Sequence, residues 1–445
     1  MASKKDLIEA QSFSRRRLLT AFTSGAVGTG ELEPAKPLRA VAAGLALTAL
    51  VVIGGVFYGM ISPGLPAGWE NNRLVIAKDT GARYVSAKGT LYPVVNTASA
   101  RLLVPSAQFA LVSTTSARIA SIPIGPSVGI VGAPDRLPAA KGLVDTGWTS
   151  CLTEDDAPNV RIGTATGAKP SAGAVVAKTD TGVFVLAGTR RYQVDPKHVD
   201  SVLRALALGD AEQRRVDDRW LNLFEPGTML TPLQVQDAGK ALAGSTLIVG
   251  KAVHVTGSPP AERFVVQADG SLATLSPLAY QLYLIGTGSL SGTAAEVNAA
   301  TIEQMHNAGP AGAKDWPTST LTSLADDANA CALSTSTDGQ PGTTLALSTA
   351  TTATAGVQVD AGAGALVRAG GPGEQSAGTI YLVDATGTAF PVEPDAETLA
   401  RLGYTPSNVG RVTAGWIALL PVGPKLSTPA AGESVLATSG PTSTP

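Results

Sequence analysis

Histidine, cysteine and aromatic residues are scarce in this chain, and charge of neither sign dominates it. Its 445 residues include three histidines and two cysteines, and 5 % are aromatic. So few nitrogen and sulfur ligands leave little material for a metal centre. Charged residues make up 15 % and the formal net charge is −2, so the composition does not indicate a polyanionic partner such as nucleic acid.

Sequence motifs of familiar enzyme classes are also missing. A phosphate-binding loop has four residues between its glycines and a Ser or Thr after its lysine. The nearest match, GSTLIVGKA at 244–252, has five residues between its glycines and an alanine after Lys251. GTGSLSG at 286–292 has the wrong spacing for a dinucleotide-binding loop and is interpreted as a flexible turn. No H-E-x-x-H motif is present.

A few polar residues remain as candidates for catalysis, and each is explained better without it. The histidines lie far apart and outside any recognisable motif, and two pairs of neighbouring aspartates are typical of solvated loops. These residues are His198, His254, His306, Asp155–Asp156 and Asp326–Asp327. The sequence therefore predicts no catalytic, metal-binding or cofactor-binding residue, and no cofactor.

One long apolar run stands out, at residues 40–61. As a helix it would be roughly 33 Å long at about 1.5 Å per residue, which matches a hydrocarbon core of about 30 Å. SRRRLLT at 14–20 resembles a twin-arginine export motif, which would make the run part of a cleaved leader. We favour a permanent transmembrane helix, because Glu31, Glu33 and Pro34 separate the motif from the run and no A-x-A cleavage site follows.

Positive charge is concentrated before the apolar run, and these cations are Lys4, Lys5, Arg15, Arg16, Arg17, Lys36 and Arg39. Only Arg73 and Lys78 occur in the 20 residues after it. The positive-inside rule therefore predicts a cytoplasmic segment at 1–39 and an outer domain at 62–426. Residues 4–22 are predicted to form an amphipathic helix on the membrane or on a partner. Trp69 is expected at the level of the lipid headgroups.

The outer part of the chain repeats itself four times. Each copy has an apolar β-like run, an aspartate-containing turn that closes on glycine, and a second β-like run, which together indicate a hairpin. A helix is predicted after each hairpin, and in the second copy Asp195 is expected to cap it. The turn glycines are Gly81, Gly182, Gly270 and Gly387, and the modules are predicted at about 70–126, 174–232, 263–317 and 378–426.

A second element follows some of the copies. PIGP at 123–126 matches PVGP at 421–424. Trp, Gly and Leu also recur at equal spacing, as Trp220, Gly227 and Leu230 and again as Trp416, Gly423 and Leu426.

The segments between the copies carry short β-like runs with Gly and Pro. Their apolar content favours a shared central core over plain linkers. The predicted fold class is α+β, with a single N-terminal transmembrane helix followed by an elongated outer domain of four small α/β repeat modules set around a central β-rich core. The tail at 427–445 is rich in Pro, Ser and Thr and is predicted to be disordered.

The two cysteines lie in the first and third of these intervening segments. Cys151 and Cys331 have no CxxC partner and no histidine nearby, which argues against zinc or redox chemistry. Outside the cytoplasm a lone pair of cysteines usually joins. We therefore predict a disulfide between them, and the alternative is two separately buried thiols.

Three stretches resemble the B component of type VII (ESX) secretion machines, the EccB family. They are SKKDLIEAQSFSRRRLLTAF at 3–22, PAGWENNRLVIAKDTGARYV at 66–85 and LYPVVNTASARLL at 91–103, and the resemblance extends to about Leu426. It implies an actinobacterial, single-pass inner-membrane protein with a cytoplasmic N-terminus and an elongated periplasmic domain. Its implied role is that of a structural core subunit in the export of WXG100-class proteins.

The resemblance also implies partners. These are an ATPase of the FtsK/SpoIIIE type, a multi-pass channel-like component, a further membrane component, a subtilisin-like mycosin protease and further copies of the chain. Nucleotide hydrolysis has been proposed for some family members, but no loop in this sequence supports it, so we predict no enzymatic activity. The modules are likened to a cell-wall-binding subunit of a phage lysin, which leaves a free-standing anchored receptor or cell-wall-binding protein as the alternative.

Overall fold

The structure of the chain is a computed structural model. It describes residues 4–24, 37–61, 65–164, 167–303, 305–324, 328–348, 354–371 and 378–435. The chain divides into two units, Met1–Gly64 and Leu65–Pro445, and each is considered by itself.

The first unit contains two helices, α1 at Lys4–Ser24 and α2 at Pro37–Ile61. Proline suits the first turn of α2, because its missing N–H would have no intrahelical partner there. The described side chains of α2, at 40–56, are all exposed. Among the described residues, no helix is both long and apolar enough to cross a membrane. The transmembrane assignment at 40–61 therefore stays a prediction.

Module 1 is a four-stranded sheet that carries helix α3. Its elements are β1 Arg73–Ala77, β2 Arg83–Ala87, β3 Thr90–Pro93, α3 Thr97–Leu103, β4 Ala110–Thr114 and α4 Ser116–Ile119. The strand order is β3-β2-β1-β4, and β4 pairs with β1 in parallel. Asn96 caps α3, because its side chain accepts a hydrogen bond from the Ser99 N–H.

Trp69 packs on module 1. Its half-buried side chain joins an apolar cluster that contains Val75, Leu91 and Ile119. The structure does not test the expected position of Trp69 at the lipid headgroups, which stays a prediction.

The chain then contributes three strands to a central sheet, β5 Thr149–Leu152, β6 Pro158–Ile162 and β7 Lys169–Pro170. Module 2 follows with β8 Ala174–Thr179, β9 Gly182–Ala187, β10 Arg190–Val194, α5 Val199–Ala205, β11 Gln213–Arg215, α6 Asp218–Leu221 and β12 Glu225–Leu230. Its strand order is β11-β8-β9-β10-β12.

Module 3 repeats that arrangement. It contains β13 Ala252–Val255, β14 Arg263–Val266, β15 Leu272–Leu275, α7 Pro277–Leu284, α8 Gly288–Ser291, β16 Ala295–Val297, α9 Ala299–Ile302 and β17 Asn307–Pro310. Its strand order is β16-β13-β14-β15-β17.

The chain returns to the central sheet with β18 Asn329–Thr337, β19 Gln340–Ser348 and β20 Gly356–Val359. Module 4 then contains β21 Ala365–Gly370, β22 Thr379–Val383, β23 Ala389–Val392, α10 Ala396–Leu402, β24 Gly410–Thr413, α11 Ala414–Ala418 and α12 Thr428–Ala431. Its strand order is β23-β22-β21-β24.

All four modules share one topology. A three-stranded antiparallel meander is followed by a helix, then by a fourth strand parallel to the first, and then by a fifth parallel to the third. The helix supplies the crossover that a parallel connection needs. In modules 1 and 4 the fifth strand is reduced to isolated bridges, which are Leu91↔Ile124, Val94↔Val128, Ala389↔Val422 and Val392↔Leu426.

The turn glycines predicted to be equivalent are not. Gly81 and Gly182 follow the first strand of their meanders, whereas Gly270 and Gly387 follow the second. The glycines of the turn between the second and third strands are Gly89, Gly188, Gly270 and Gly387, and all four have positive φ. The alignment of the four copies was shifted by one strand in modules 3 and 4. Both turns of the meander carry glycine, and the aspartate lies in the first turn in some copies and in the second turn in others.

The predicted boundaries of modules 3 and 4 are wrong for the same reason. Their first strands begin at Ala252 and Ala365, earlier than the predicted 263 and 378. The segment at 245–255 was predicted for the central core, but its last residues, Ala252–Val255, form the first strand of module 3 instead.

The central sheet has six strands in the order β20-β6-β5-β18-β19-β7. They come from the segments between modules 1 and 2 and between modules 3 and 4, so the prediction holds for these two of the three intervening segments. An apolar cluster packs central residues such as Leu152 and Leu345 against Trp220 of module 2 and Trp416 of module 4.

The modules also pack in pairs. One apolar cluster joins modules 1 and 4 through residues such as Leu102 and Phe390. Another joins modules 2 and 3 through residues such as Leu203 and Tyr283. Modules 2 and 4 thus pack on the central sheet and contact each other through α6 and α11, while module 1 packs on module 4 and module 3 on module 2.

Part of the tail that was predicted to be disordered is ordered. It contains α12, in which Ala431 is fully buried. The backbone of Glu433 and of Val435 hydrogen-bonds to module 1. The prediction of disorder is thus wrong for 427–435, and residues 436–445 lie outside the described ones.

Candidate functional site: the disulfide-linked central sheet

Two buried cysteines lie side by side in the middle of the central sheet. Cys151 on β5 and Cys331 on β18 are direct partners in the antiparallel register, and their sulfur atoms are bonded. The bond joins segments 180 residues apart. It therefore fastens the strands that precede module 2 to those that follow module 3, and the pair is the one that the sequence predicted.

Two tryptophans attach modules 2 and 4 to this sheet. Trp220 on α6 and Trp416 on α11 hold equivalent positions just before the fifth strand, and neither is exposed to solvent. The indole N–H of Trp220 donates to the Ser150 carbonyl oxygen at 3.0 Å. That of Trp416 donates to Thr343 Oγ1, also at 3.0 Å. Each ring thus satisfies its only polar group on a central strand while it fills the apolar interface.

A third tryptophan strengthens the attachment of module 4. Trp148, just before β5, lies edge-on to Trp416, with ring centroids 6.2 Å apart and planes at 87°. Its N–H donates to the Val144 carbonyl oxygen at 3.0 Å. Edge-to-face rings at this separation attract each other beyond the effect of burial alone.

A half-buried ion pair holds module 2 from another side. Asp156, in the turn between β5 and β6, pairs with the Arg214 side chain on β11. Its second oxygen accepts a hydrogen bond from the Arg215 N–H at 3.0 Å. The interpretation of Asp155–Asp156 as a solvated loop is therefore wrong for Asp156. Asp326 and Asp327 lie outside the described residues.

Modules 2 and 3 are joined by reciprocal polar contacts. The Tyr192 hydroxyl donates to the Asp315 carbonyl oxygen at 2.7 Å, and burial raises the pKa of that hydroxyl. Asp315 Oδ2 accepts from the Thr228 N–H at 2.7 Å. The Trp316 indole N–H donates to the Thr228 carbonyl oxygen at 3.1 Å. The segment at 315–316 therefore covers the fifth strand of module 2.

Modules 1 and 4 are joined in a similar way. The Arg401 guanidinium on α10 donates to the Leu102 carbonyl oxygen at the end of α3, at 2.6 Å. The Tyr404 hydroxyl donates to the Pro138 carbonyl oxygen at 2.7 Å, and burial raises the pKa of Tyr404. A cation at the carboxyl end of a helix is favourable because that end carries partial negative charge.

The segment that most resembles a phosphate-binding loop, 244–252, is hydrogen-bonded to neighbouring parts of module 3. Its backbone N–H groups donate within the module, for example from Val249 to the Lys240 carbonyl oxygen at 2.9 Å and from Gly250 to that of Val266 at 2.8 Å. Lys251 Nζ donates to the Ser291 carbonyl oxygen at 2.6 Å. A phosphate cradle needs free N–H groups and a free lysine, whereas the lysine and several N–H groups of this segment are already bonded.

The three histidines do not come together. His198, just before α5, bonds to Asp195 at 2.8 Å, and this contact is the main cause that lowers the pKa of that carboxyl. His198 also stands at the cap position of α5 in place of the predicted Asp195. His254 and His306 lie on module 3. No group of three or more His, Cys, Asp or Glu residues is placed to hold a metal ion within the described ranges.

The structural role of the tryptophans was missed from the sequence. Their recurrence at equal spacing was visible, but recurrence alone indicates a repeated fold. Nothing in the sequence identifies Ser150 and Thr343 as acceptors, because these lie 70 and 73 residues from the donors.

A sequence profile of the EccB family, described as "Type VII secretion system ESX-1, transport TM domain B", matches residues 1–435. The "ESX-2 secretion system ATPase EccB2" of Mycobacterium tuberculosis is 32 % identical over 210 residues, which are 44 % of this chain and 41 % of that protein. The "ESX-5 secretion system ATPase EccB5" of the same organism is 28 % identical over 316 residues, 65 % of this chain and 60 % of that protein. The chain thus matches less than two thirds of the length of these relatives.

Solved structures have a similar fold. A chain in the structure of an intact ESX-5 inner membrane complex is 23 % identical, with a TM-score of 0.67 over 100 % of this chain and 98 % of that one. A chain in the structure of an EccB3 dimer from the ESX-3 core complex is 22 % identical, with a TM-score of 0.65 over 81 % of this chain and 99 % of that one. With the family profile covering all but the last residues, the chain belongs to the EccB family of type VII secretion components.

Proposed function

We propose that this chain is a structural core subunit of a type VII secretion machine, and that its outer domain is a scaffold for export of WXG100-class proteins. The observation that carries the proposal is the outer unit's central sheet, which one disulfide closes and to which two tryptophans fasten modules 2 and 4. Such a unit presents surfaces at fixed separations, which an assembly subunit requires. Membership of the EccB family supports the same role.

The proposed topology places residues 1–39 in the cytoplasm, helix 40–61 in the inner membrane and the unit from Leu65 onward in the periplasm. The excess of cations before the helix supports this orientation, and a disulfide is expected to persist only outside the cytoplasm. Alkaline phosphatase fused after Leu426 should be active, and a fusion before Arg39 should be inactive. The reverse pattern would overturn the topology.

The proposed partners are an FtsK/SpoIIIE-type ATPase, a multi-pass channel-like component, a further membrane component, a mycosin protease and further copies of this chain. The related chain of the ESX-5 structure occurs in an inner membrane complex and EccB3 occurs as a dimer, which supports membrane partners and self-association.

The proposed role does not include nucleotide hydrolysis. Curated relatives carry the word ATPase in their names. In this chain Lys251 and several backbone N–H groups of the segment at 244–252 are engaged by the protein, which supports a purely structural function.

The second candidate function is a free-standing anchored receptor or cell-wall-binding protein. Purification of the full chain from membranes of its host in mild detergent separates the two. Recovery in an assembly of about a megadalton, together with an FtsK/SpoIIIE-type ATPase, is the result expected for a secretion subunit. Recovery as a lone monomer or dimer would contradict that role and favour the receptor.

A further inference from the structure

The fourth strand of module 1, β4, is an open edge of its sheet. It spans Ala110–Thr114 and is the last strand of that sheet in the described part of the chain. Ala110, Leu111 and Ser113 are exposed, and Leu111 is 56 % exposed. Natural proteins usually shorten such edges or place charge or proline on them, which prevents further pairing. β4 has five residues and carries neither charge nor proline.

The fourth strand of each other module is occupied or short. In module 2, the Arg215 N–H on β11 donates to Asp156 Oδ2 in a turn of the central sheet at 3.0 Å. In module 4, β24 packs against β19 of the central sheet. In module 3, β16 has three residues and carries the exposed Glu296. Module 1 therefore leaves open an edge that two other modules use to contact the central sheet.

The backbone of β4 has hydrogen-bonding groups that point away from the sheet. The Thr114 carbonyl oxygen accepts from the Lys78 N–H at 2.9 Å, so Thr114 and Val112 direct their backbone groups toward β1. Successive residues of a strand direct these groups to opposite sides, so those of Leu111 and Ser113 point outward. No described residue hydrogen-bonds to the backbone of Leu111 or Ser113. Two N–H donors and two carbonyl acceptors are therefore available on this edge.

These groups are complementary to those of a second copy of the chain in antiparallel register. With Val112 on a two-fold axis, Leu111 lies opposite Ser113 of the second copy, and each such pair exchanges two N–H···O=C bonds. Every outward group of both residues then has a partner. The two Val112 residues face each other as a pair that shares no hydrogen bond. Because the strand is uncharged, it does not repel its own copy.

Neighbouring antiparallel registers are less complementary. An axis at Leu111 would place Ser113 opposite Phe109, whose N–H already donates to the Ser106 carbonyl oxygen at 3.4 Å. An axis at Ser113 would place Leu111 opposite Thr115, whose carbonyl oxygen already accepts from the Arg118 N–H at 3.1 Å. The register centred on Val112 is therefore the favoured one.

We propose that the β4 strands of two copies of this chain pair in antiparallel register about Val112 within the secretion assembly. The inference rests on the proposed function, which places further copies in one membrane complex. A single strand pair buries much less than the roughly 1,200–2,000 Å² of a stable interface. The contact therefore forms between copies that the assembly already holds together, because their effective concentration is high.

Disulfide cross-linking of the full chain in membranes of its host tests the register. Val112→Cys places two thiols on residues with Cα atoms about 4.5 Å apart, which a disulfide can join. The native cysteines are bonded to each other, so neither supplies a free thiol. Mild oxidation should therefore give a dimer of Val112→Cys on non-reducing gels.

Leu111→Cys is the matched control for the register. Leu111 is exposed whereas Val112 is half-buried, so random collisions would favour cross-linking at position 111. In the proposed register the two copies of residue 111 are diagonal neighbours about 7–8 Å apart, which is too far for a disulfide. Leu111→Cys should therefore cross-link several-fold less than Val112→Cys.

Two further changes, each added to the Val112→Cys chain, test the backbone bonds. Ser113→Pro removes an outward N–H that has no partner among the described residues, and proline is tolerated at such edge positions. The thermal midpoint should stay unchanged while cross-linking falls several-fold. Ser113→Thr keeps the N–H and should cross-link as strongly as Val112→Cys alone.

Three results would overturn the strand pairing. One is cross-linking of Leu111→Cys as strong as that of Val112→Cys, and another is equal cross-linking with Ser113→Pro and Ser113→Thr. The third is a Val112→Cys chain that stays uncross-linked although it is recovered in an assembly with the ATPase, which would leave the proposed function intact. Recovery of the chain outside any assembly would contradict the proposed function, and the pairing with it.

Discussion

At the scale of single residues, one indole N–H group in each of modules 2 and 4 positions that module on the central sheet. The indole N–H groups of Trp220 and Trp416 are buried donors, and each finds one acceptor. A buried hydrogen bond contributes modestly to stability, but losing one partner leaves the other desolvated and unpaired. The two indole rings therefore fix the positions of modules 2 and 4 on the central sheet and also fill the apolar interface.

Trp220→Phe and Trp416→Phe should each lower the free energy of unfolding by about 2 kcal/mol, because each removes a donor and leaves a small cavity. Denaturant unfolding of the full chain in detergent measures this loss. Trp69→Phe is the matched control and should cost clearly less, because Trp69 is only half buried. Equal losses at all three positions would mean that the two anchors have no special role.

The disulfide acts at the same scale. Closing a loop of 180 residues stabilises a fold by roughly 5 kcal/mol at most in the chain-entropy model, and measured gains are often smaller. Cys151→Ser and Cys331→Ser should lower the thermal midpoint by similar amounts. The double variant should lose no more than either single variant, because both remove one shared interaction. Additive losses, or two thiols open to alkylation in the oxidised folded protein, would contradict the bond.

At the scale of elements, α1 carries its apolar and basic side chains in the open. Leu7, Leu18 and Phe22 are 63, 64 and 88 % exposed. Their spacing places them on one face of the helix. Arg15, Arg16 and Arg17 are exposed on the same helix. A helix with this exposed composition is suited to a partner or to a membrane surface.

Replacing Arg15, Arg16 and Arg17 together with Glu should weaken recovery of the FtsK/SpoIIIE-type ATPase with the chain, because the change reverses the charge of the proposed docking helix. The outer domain should melt at an unchanged temperature. Quantitative co-purification measures the effect, and replacement of all three arginines with Lys is the control that keeps the charge. An unchanged yield of the partner with the Glu variant would contradict the docking role and leave the arginines with only a role in membrane orientation.

The elements also show what the sequence could predict. Local signals gave the hairpins and the β-rich segments around Cys151 and Cys331. They could not give the register of the repeat, because the segments that follow β13 and β21 lack the aspartate-containing turn by which the copies were aligned. The covering of β12 by residues 315–316 could not be predicted either, because that contact depends on which modules pack together.

The functional inference that came from family resemblance was sound, since it depended on stretches at 3–22, 66–85 and 91–103 rather than on the alignment of the four copies.

At the scale of the whole molecule, the unit from Leu65 onward is an ordered row of parts. Module 1 packs on module 4, module 4 and module 2 pack on the central sheet, and module 3 packs on module 2. The disulfide closes the sheet at its centre, so the two ends of the row cannot separate without breaking a covalent bond or an apolar interface. The central claim is therefore that modules 1 and 3 keep a fixed distance from each other.

Spin labels on the two outer modules test this claim most directly. The labels are attached at Thr80→Cys in module 1 and Glu262→Cys in module 3, because Thr80 and Glu262 are exposed turn residues. The two native cysteines are bonded to each other and do not react with the label. Double electron–electron resonance spectroscopy on the full chain in detergent should give one narrow distribution of the distance between the two labels. The distribution should broaden when Trp220 and Trp416 are both replaced with Leu. A broad or multiple distribution in the otherwise unaltered protein would contradict the account.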